Sequence, residues 1–188
     1  MKIILASNSP RRKELLTKAG VDFTVIPSTE DENINKNLPP IKYAETLSYL
    51  KAKSVFDKHK NIVIGADTIV VFNDKIIGKP KDEKDAFLTL KSLSNNTHKV
   101  ITAYTIISQN KIITDHEVTK VTFNNLSDNL IIDYIKKIKP YDKAGSYGIQ
   151  DGYPLVKSYD GDYDNIVGLP TQKIINLLKE FKWKIKLL

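Results

Sequence analysis

The chain contains no cysteine and only three histidines. Without thiols there can be no disulfide and no thiolate metal site, so redox chemistry declares no compartment. Histidines without metal-ligand spacing, and with no cysteine beside them, argue against a zinc enzyme. No apolar run approaches the length of a membrane span. The N-terminus enters a strand pattern at once and reads as neither signal nor transit peptide, which leaves cytoplasm as the default location. Also missing are a block of about five or more like charges and a basic, aromatic-interleaved tail. The net charge of +7 is spread along the chain. That scatter speaks against nucleic acid as the partner and fits surface lysines plus a cleft for a small polyanion.

What is present suits an ordinary soluble globular protein. At 188 residues, 41% hydrophobic and 27% charged, the chain is long enough for one domain with a sizeable core, with two lobes around a cleft as one arrangement. Its organising stretch is residues 2–16. Ile3, Ile4, Leu5 and Ala6 read as a short buried strand, broken by Ser7-Asn8-Ser9. Ser9 is the expected N-cap of a helix with Pro10 at its first position, apolar Leu15, Leu16 and Ala19, and a stop at Gly20. A strand feeding a helix N-terminus is a natural seat for a phosphate, and Arg11 and Arg12 in the first helical turn imply that an anion is expected there. Ser7 and Ser9 would line that seat with hydroxyls.

Further along, residues 22–26 read as a second strand. Residues 28–40 read as a polar, mobile loop carrying Glu30, Asp31 and Glu32. A helix is expected over 41–59. Residues 61–72 give the strongest strand signal, with Gly65-Ala66-Asp67-Thr68 in its middle. A carboxylate within a β-branched run is costly to bury unpaired. Asp67 therefore either caps a loop between two strands or is held at the base of a cleft. Asn73-Asp74 reads as a hairpin turn, residues 82–93 as an amphipathic helix, and residues 98–123 as an antiparallel meander turning at 108–111. Ser127-Asp128 caps a helix stopped by Pro140; a shaped loop follows to Gln150, then a strand at 156–159, a helix opening at Thr171, and a final strand over 182–188. His98, at a strand entrance, reads as a hydrogen-bonded structural residue in preference to a general base.

Leu5-Ala6-Ser7-Asn8-Ser9-Pro10-Arg11-Arg12 closely resembles the opening motif of the Maf family of nucleoside triphosphate pyrophosphatases. Lys51-Ala52, Gly78-Lys79-Pro80, the segment His98-x-Val100-x-Thr102, Lys143-Ala144-Gly145-Ser146-Tyr147-Gly148-Ile149-Gln150 and the stretch from Tyr163 to Pro170 match the same family in order, so the resemblance spans nearly the whole chain. Thr46, where the family more often has arginine, is a departure. The resemblance implies a mixed α/β fold similar to that of inosine triphosphate pyrophosphatase. Such a fold is an elongated twisted sheet with a lobe on each side of a central cleft, here one domain over residues 1–188, commonly paired as a homodimer.

The implied reaction is hydrolysis between the α and β phosphates of a nucleoside triphosphate. It needs phosphate charge neutralised and a water placed in line. Arg11, Arg12, Lys51 and Lys79 come from separate segments and would form an electrostatic clamp if they converge. By the resemblance Asp67 activates the water, and Glu32 and Asp67 supply hard oxygen ligands suited to Mg²⁺ or Mn²⁺. Thr68 and Gln150, with Arg12, match the branch resembling dTTP and UTP pyrophosphatases. The Gln150 amide carries both a donor and an acceptor, so something must fix its orientation if it is to read a base. The candidate is the loop from Gly145 to Gly148, with Thr68 nearby. Two other readings stay open: a nucleotide-sensing regulator of cell division that binds without hydrolysis, and a nucleic-acid-binding protein.

Overall fold

A computed structural model describes residues 2–29 and 38–181. Glu32 and the expected final strand over 182–188 lie outside the described residues. Along the chain come strand β1 (Ile3–Leu5), helix α1 (Pro10–Lys18), β2 (Phe23–Val25), α2 (Pro40–His59), β3 (Ile62–Phe72), β4 (Lys75–Ile77) and α3 (Glu83–Leu93). They are followed by β5 (Thr97–Ile107), β6 (Ile112–Phe123), α4 (Asp128–Ile138), β7 (Val156–Asp160), α5 (Tyr163–Val167) and α6 (Thr171–Glu180). The strands form one seven-stranded mixed sheet in the order β2-β1-β3-β5-β6-β7, with β4 added to β3. β1 runs parallel to both of its neighbours, and every other pair is antiparallel.

Local chemistry accounts for most of these boundaries. The Ser9 side chain accepts from the Arg12 N–H, Asp82 from that of Asp85 and Ser127 from that of Leu130, so α1, α3 and α4 each start at a side-chain cap. Asn73 and Asp74 both hold positive φ, as the tight turn from β3 into β4 requires. Helix α5 has no counterpart among the sequence expectations. It is short, begins at Asp162, whose side chain accepts from the Asp164 N–H, and ends at Gly168.

β3 positions the site. Its side chains alternate between the two faces of the sheet. Val63, Ile69 and Val71 lie with Ala44, Ala52 and Val55 of α2 in the cores on one face. On the other face, Ile62, Ile64 and Ala66 pack with α1 and α6, and Val70 packs with α3 and α4. Thr68 falls between those two packed ends. β3 is continuous through Gly65–Thr68, so Asp67 does not cap a loop between strands.

The edge of β3 opposite β5 pairs with β1 only over Ile62–Ile64 and with β4 only over Val70–Phe72. One further bond, from the Ala6 N–H to the Ile64 carbonyl, closes the β1 end. Residues 65–69 therefore face a gap in the sheet, at the carboxyl end of β1 and directly before α1. Open α/β sheets bind ligands at such a place.

Gly65 has a specific reason to lack a side chain. A Cβ there would stand 2.5 Å from the Ser48 carbonyl oxygen and 2.6 Å from the Ala52 nitrogen, both backbone atoms of α2. Gly65→Ala should therefore destabilise the protein by about 2 kcal/mol or more through overpacking. Urea denaturation of the variant against wild type measures this directly. A loss under a few tenths of a kcal/mol would mean that α2 yields without cost.

Candidate active site

A cleft of about 610 Å³ opens at the gap in the sheet. The structure brings Ser7, Ser9, Arg11, Arg12, Lys51, Asp67, Thr68, Lys79 and Gln150 to its walls. Each of the site residues expected from the sequence therefore lines one cavity, apart from Glu32, which is outside the described residues. β1 delivers Ser7 and the start of α1, β3 delivers the floor, α2 delivers Lys51, the turn after β4 delivers Lys79, and the loop after α4 delivers Gln150.

The floor is an ion pair. Lys51 Nζ donates to Asp67 Oδ1 at 2.6 Å, with only 14% and 11% of the two side chains exposed. Sequence reasoning placed Lys51 on a phosphate; its contact with Asp67 was not foreseen. No local signal could have shown it, since the pair depends on α2 approaching β3 over Gly65. Burying either charge alone would be costly, and the pairing offsets that cost.

Arg12 is held on three sides. Its Nε donates to the Gly168 carbonyl at 2.9 Å, and its two terminal nitrogens donate to Ser7 Oγ at 3.2 Å and Thr68 Oγ1 at 3.0 Å. Gly168 has φ of +130°, a conformation that side chains rarely adopt, and this turns its carbonyl out of the end of α5. Helix α5 is pinned in turn by Asn165, which is buried. Its Oδ1 accepts from the Thr102 N–H, while its Nδ2 donates to the Val100 carbonyl and Thr119 Oγ1. Thr171, whose hydroxyl donates to Asp164 Oδ2, links α5 to α6. Asp162, Asn165 and Gly168 were missed as a unit, because an N-cap residue and a glycine six positions apart leave too few residues between them to show a helical period.

Arg11 reaches across the cleft. One of its terminal nitrogens lies 2.7 Å from Asp142 Oδ2, and the other donates to the Asp142 backbone carbonyl at 3.4 Å. Burial pushes the Asp142 carboxyl up, but the Arg11 hydrogen bond and charge, with Lys143 beside them, outweigh it and hold it below the ordinary value. The anion implied by two arginines at a helix N-terminus thus has a resident carboxylate facing it. Lys143 also lines the cleft, with its ammonium 3.2 Å from Asp142 Oδ1 and 3.9 Å from Asp151 Oδ2. The sequence reading placed it in the motif that ends at Gln150 and gave it no role in the site.

Ser9 Oγ caps α1, and Ser7 Oγ accepts from the Ser9 N–H at 3.2 Å as well as from Arg12. Both hydroxyls therefore build the turn that forms the seat. Thr68 is engaged by Arg12, by Thr102 Oγ1 at 2.9 Å and by the Gly168 carbonyl at 3.4 Å. It does not hold Gln150; the amide nitrogen of Gln150 donates to Asp151 Oδ1 at 3.3 Å.

His98 is structural, as its position in the sequence suggested. It sits behind the cleft at 2% exposure, with Nε2 2.8 Å from the Tyr147 hydroxyl and its ring edge-on to Phe123 and Tyr147. Burial lowers its pKa to about 4 and lifts that of Tyr147 above its ordinary range. Both are neutral near neutral pH, and together they anchor the loop that carries Gln150.

Fold and cleft together define a class: an α/β protein whose sheet gap and helix N-terminus form a cationic pocket for a polyanion. A solved structure of a HAM1 protein from Coxiella burnetii has the same fold, with a TM-score of 0.55 at 13% identity, covering 96% of this chain and 99% of that one. The Maf-like protein family model matches residues 2–181, and the chain belongs to that family. A dTTP/UTP pyrophosphatase of Thermosipho africanus (strain TCF52B) is 54% identical over 179 residues, 95% of this chain and 92% of the relative. One of Thermoanaerobacter sp. (strain X514) is 48% identical over 184 residues, covering 95% and 96%.

The His98 environment predicts an acid-side stability loss. The unfolded histidine titrates near the model value of 6.5 and the folded one near 4, so between those values the unfolded chain binds more protons. Stability is full above about pH 6.5 and falls as pH drops toward 4, with a His98 contribution of about 2 kcal/mol lost between pH 7 and 5. Urea midpoints at the two pH values should show a smaller drop for His98→Gln than for wild type. An equal drop would remove His98 from the acid response.

Proposed function

We propose that this chain hydrolyses dTTP and UTP to the nucleoside monophosphate and pyrophosphate. The observation that carries this reading is a carboxylate, Asp67, held by Lys51 on the floor of a cleft whose walls present Arg11, Arg12 and Lys79 beside a helix N-terminus. The curated relatives named above, which match along nearly their full length, bear the same activity.

In this reading the triphosphate lies along the α1 N-terminus. Arg11 leaves Asp142 for phosphate oxygens, and the exposed Lys79 closes from the other side. Arg12, fixed by Gly168, Ser7 and Thr68, is already oriented and adds its charge with little reorganisation. Asp67, with one oxygen engaged by Lys51, takes the proton of a water aligned with the α-phosphorus. The bond from that phosphorus to the bridging oxygen breaks, and pyrophosphate departs with its charge met by the cations.

A divalent ion, Mg²⁺ or Mn²⁺, fits the chemistry of this floor. Among the described residues no cluster of three or more His, Cys, Asp or Glu side chains is gathered to hold a metal. Mg²⁺ is nevertheless commonly bound by one or two carboxylates together with substrate phosphates, and Asp67 offers one such oxygen ligand at the phosphate seat. Glu32 is the second candidate by family resemblance. When bound, the ion would neutralise phosphate charge and polarise the α-phosphorus. We further read residues 1–188 as one domain that works as a homodimer, on the strength of the family resemblance, with the cytoplasm as its default location. No helix among the described residues is long and apolar enough to cross a membrane.

A panel of nucleoside triphosphates with separate detection of pyrophosphate and orthophosphate tests the reaction. We expect pyrophosphate from dTTP and UTP, lost in excess chelator. Orthophosphate released in two steps would overturn the cleavage position, and full activity in chelator would overturn the metal. Asp67→Asn keeps the shape of the side chain but removes the proton acceptor, so turnover should fall on the order of 10² or more. Near-normal turnover in a folded variant would place the base elsewhere.

A further inference from the structure

Gln150 can discriminate bases only if its amide is held one way round. Turned one way, with Oε1 toward N3, the amide accepts from the N3–H of uracil or thymine and donates to the neighbouring carbonyl. Turned over, it suits the N3 acceptor and amino group of cytosine. Gln150 is exposed at the cleft wall, where a free amide would sample both orientations.

We infer that Asp151 is the positioning residue that fixes the Gln150 amide, and that it thereby selects uracil- and thymine-type bases over cytosine. The inference rests on the reading of this cleft as a nucleotide site and deepens it. A carboxylate can only accept, so the neighbouring amide must turn its nitrogen toward it, and Gln150 Nε2 lies 3.3 Å from Asp151 Oδ1. One N–H is then committed to Asp151. The carbonyl oxygen and the remaining N–H are the groups left for a ligand, and our assignment puts N3 of the base at Oε1, where they complement uracil and thymine. Cytosine would meet it acceptor to acceptor and donor to donor.

Asp151 is itself held in place. Its side chain is 10% exposed. The Tyr134 hydroxyl donates to Oδ2 at 2.7 Å and accepts from the Gly148 N–H at 3.1 Å, and the Lys143 ammonium stands 3.9 Å from Oδ2. Burial, reinforced by the Asp151 hydrogen bond and charge, raises the Tyr134 pKa above its ordinary range, so the phenol stays a donor. The Tyr134 donor and the Lys143 charge both act on Oδ2, which leaves Oδ1 to the amide.

Gly148 supplies an independent observation. Its φ of −128° and ψ of 129° are open to any residue, so backbone conformation does not demand glycine. Space does. A Cβ at 148 would stand 2.7 Å from Gln150 Nε2 and 2.8 Å from both Asp151 carboxylate oxygens. The missing side chain is what lets amide and carboxylate meet.

The test reads binding, so it does not depend on turnover. Calorimetry gives dissociation constants for the α,β-imido analogues of dUTP and dCTP with wild type, Asp151→Asn, Gly148→Ala, Gln150→Ala and the Gln150→Ala/Asp151→Asn double variant. Wild type should prefer the dUTP analogue. Asn at 151 offers a donor as well as an acceptor, so the amide can turn over. Ala at 148 pushes amide and carboxylate apart. Each should cut the preference about fivefold or more, the scale of one hydrogen bond. In the Gln150→Ala background, Asp151→Asn should leave the residual preference unchanged. An even loss of affinity for both analogues in folded Asp151→Asn would assign Asp151 to loop structure and overturn the inference, as would a wild type without base preference. If Asp151→Asn does not fold, an unchanged preference in Gly148→Ala overturns it. A wild type that shows the preference but releases no pyrophosphate from dTTP or UTP would refute the proposed hydrolysis and leave the assignment of Asp151 standing.

Discussion

Helix α2 can bring the Lys51 ammonium to 2.6 Å from Asp67 Oδ1 because β3 carries no side chain at Gly65, where the helix backbone passes. That close approach underlies the rest of the site. Asp67 sits in a strand whose neighbours are almost all apolar, and an ionised carboxylate there needs a counter-charge on its own face of the sheet. The helix crossing supplies it. The same crossing packs Ala44, Ala52 and Val55 against the sheet, so one contact contributes both to the core and to the chemistry.

The gap between β1 and β4 gives the paired carboxylate access to a ligand. A fully paired strand would have left residues 65–69 enclosed by neighbours on both edges. With one edge open, Asp67 on one face and Thr68 on the other both reach the cleft, and α1 starts directly at its mouth. The walls are then fixed by contacts remote in sequence. Arg12 is tied to Gly168, and α5, which places that carbonyl, is locked to β5 and β6 by the buried Asn165. Satisfied networks of this kind specify one arrangement, because any alternative leaves buried polar atoms unpaired.

The four cations expected at the cleft fall into two groups by what holds them. Arg12 and Lys51 are engaged from several directions or deep in the floor, and their geometry is set before a ligand arrives. Arg11 is paired with Asp142, whose side chain is 56% exposed, and Lys79 is exposed on its turn. An exposed ion pair is worth little and exchanges readily for a more highly charged partner. The first group suits orientation and the second suits capture.

Much of this was written locally in the chain. Ser9 and Pro10 start α1, Ser127 starts α4, Asn73-Asp74 turns β3 into β4, and the alternation over 98–123 makes a meander, because each depends on atoms a few residues apart. The motifs from Leu5 to Pro170 likewise carried the family, and with it the residues of one cleft. Helix α5 was harder to read, since five residues are too few for a periodicity. The tertiary structure decided which groups meet. Lys51 with Asp67, Arg11 with Asp142 and Arg12 with Gly168 are separated by 16, 131 and 156 residues. Sequence alone determined which charges and caps this chain possesses. Strand register, the gap beside β3 and the space left at Gly65 and Gly148 decided what each of them touches, because a hydrogen bond depends on ångströms of position that only packing sets.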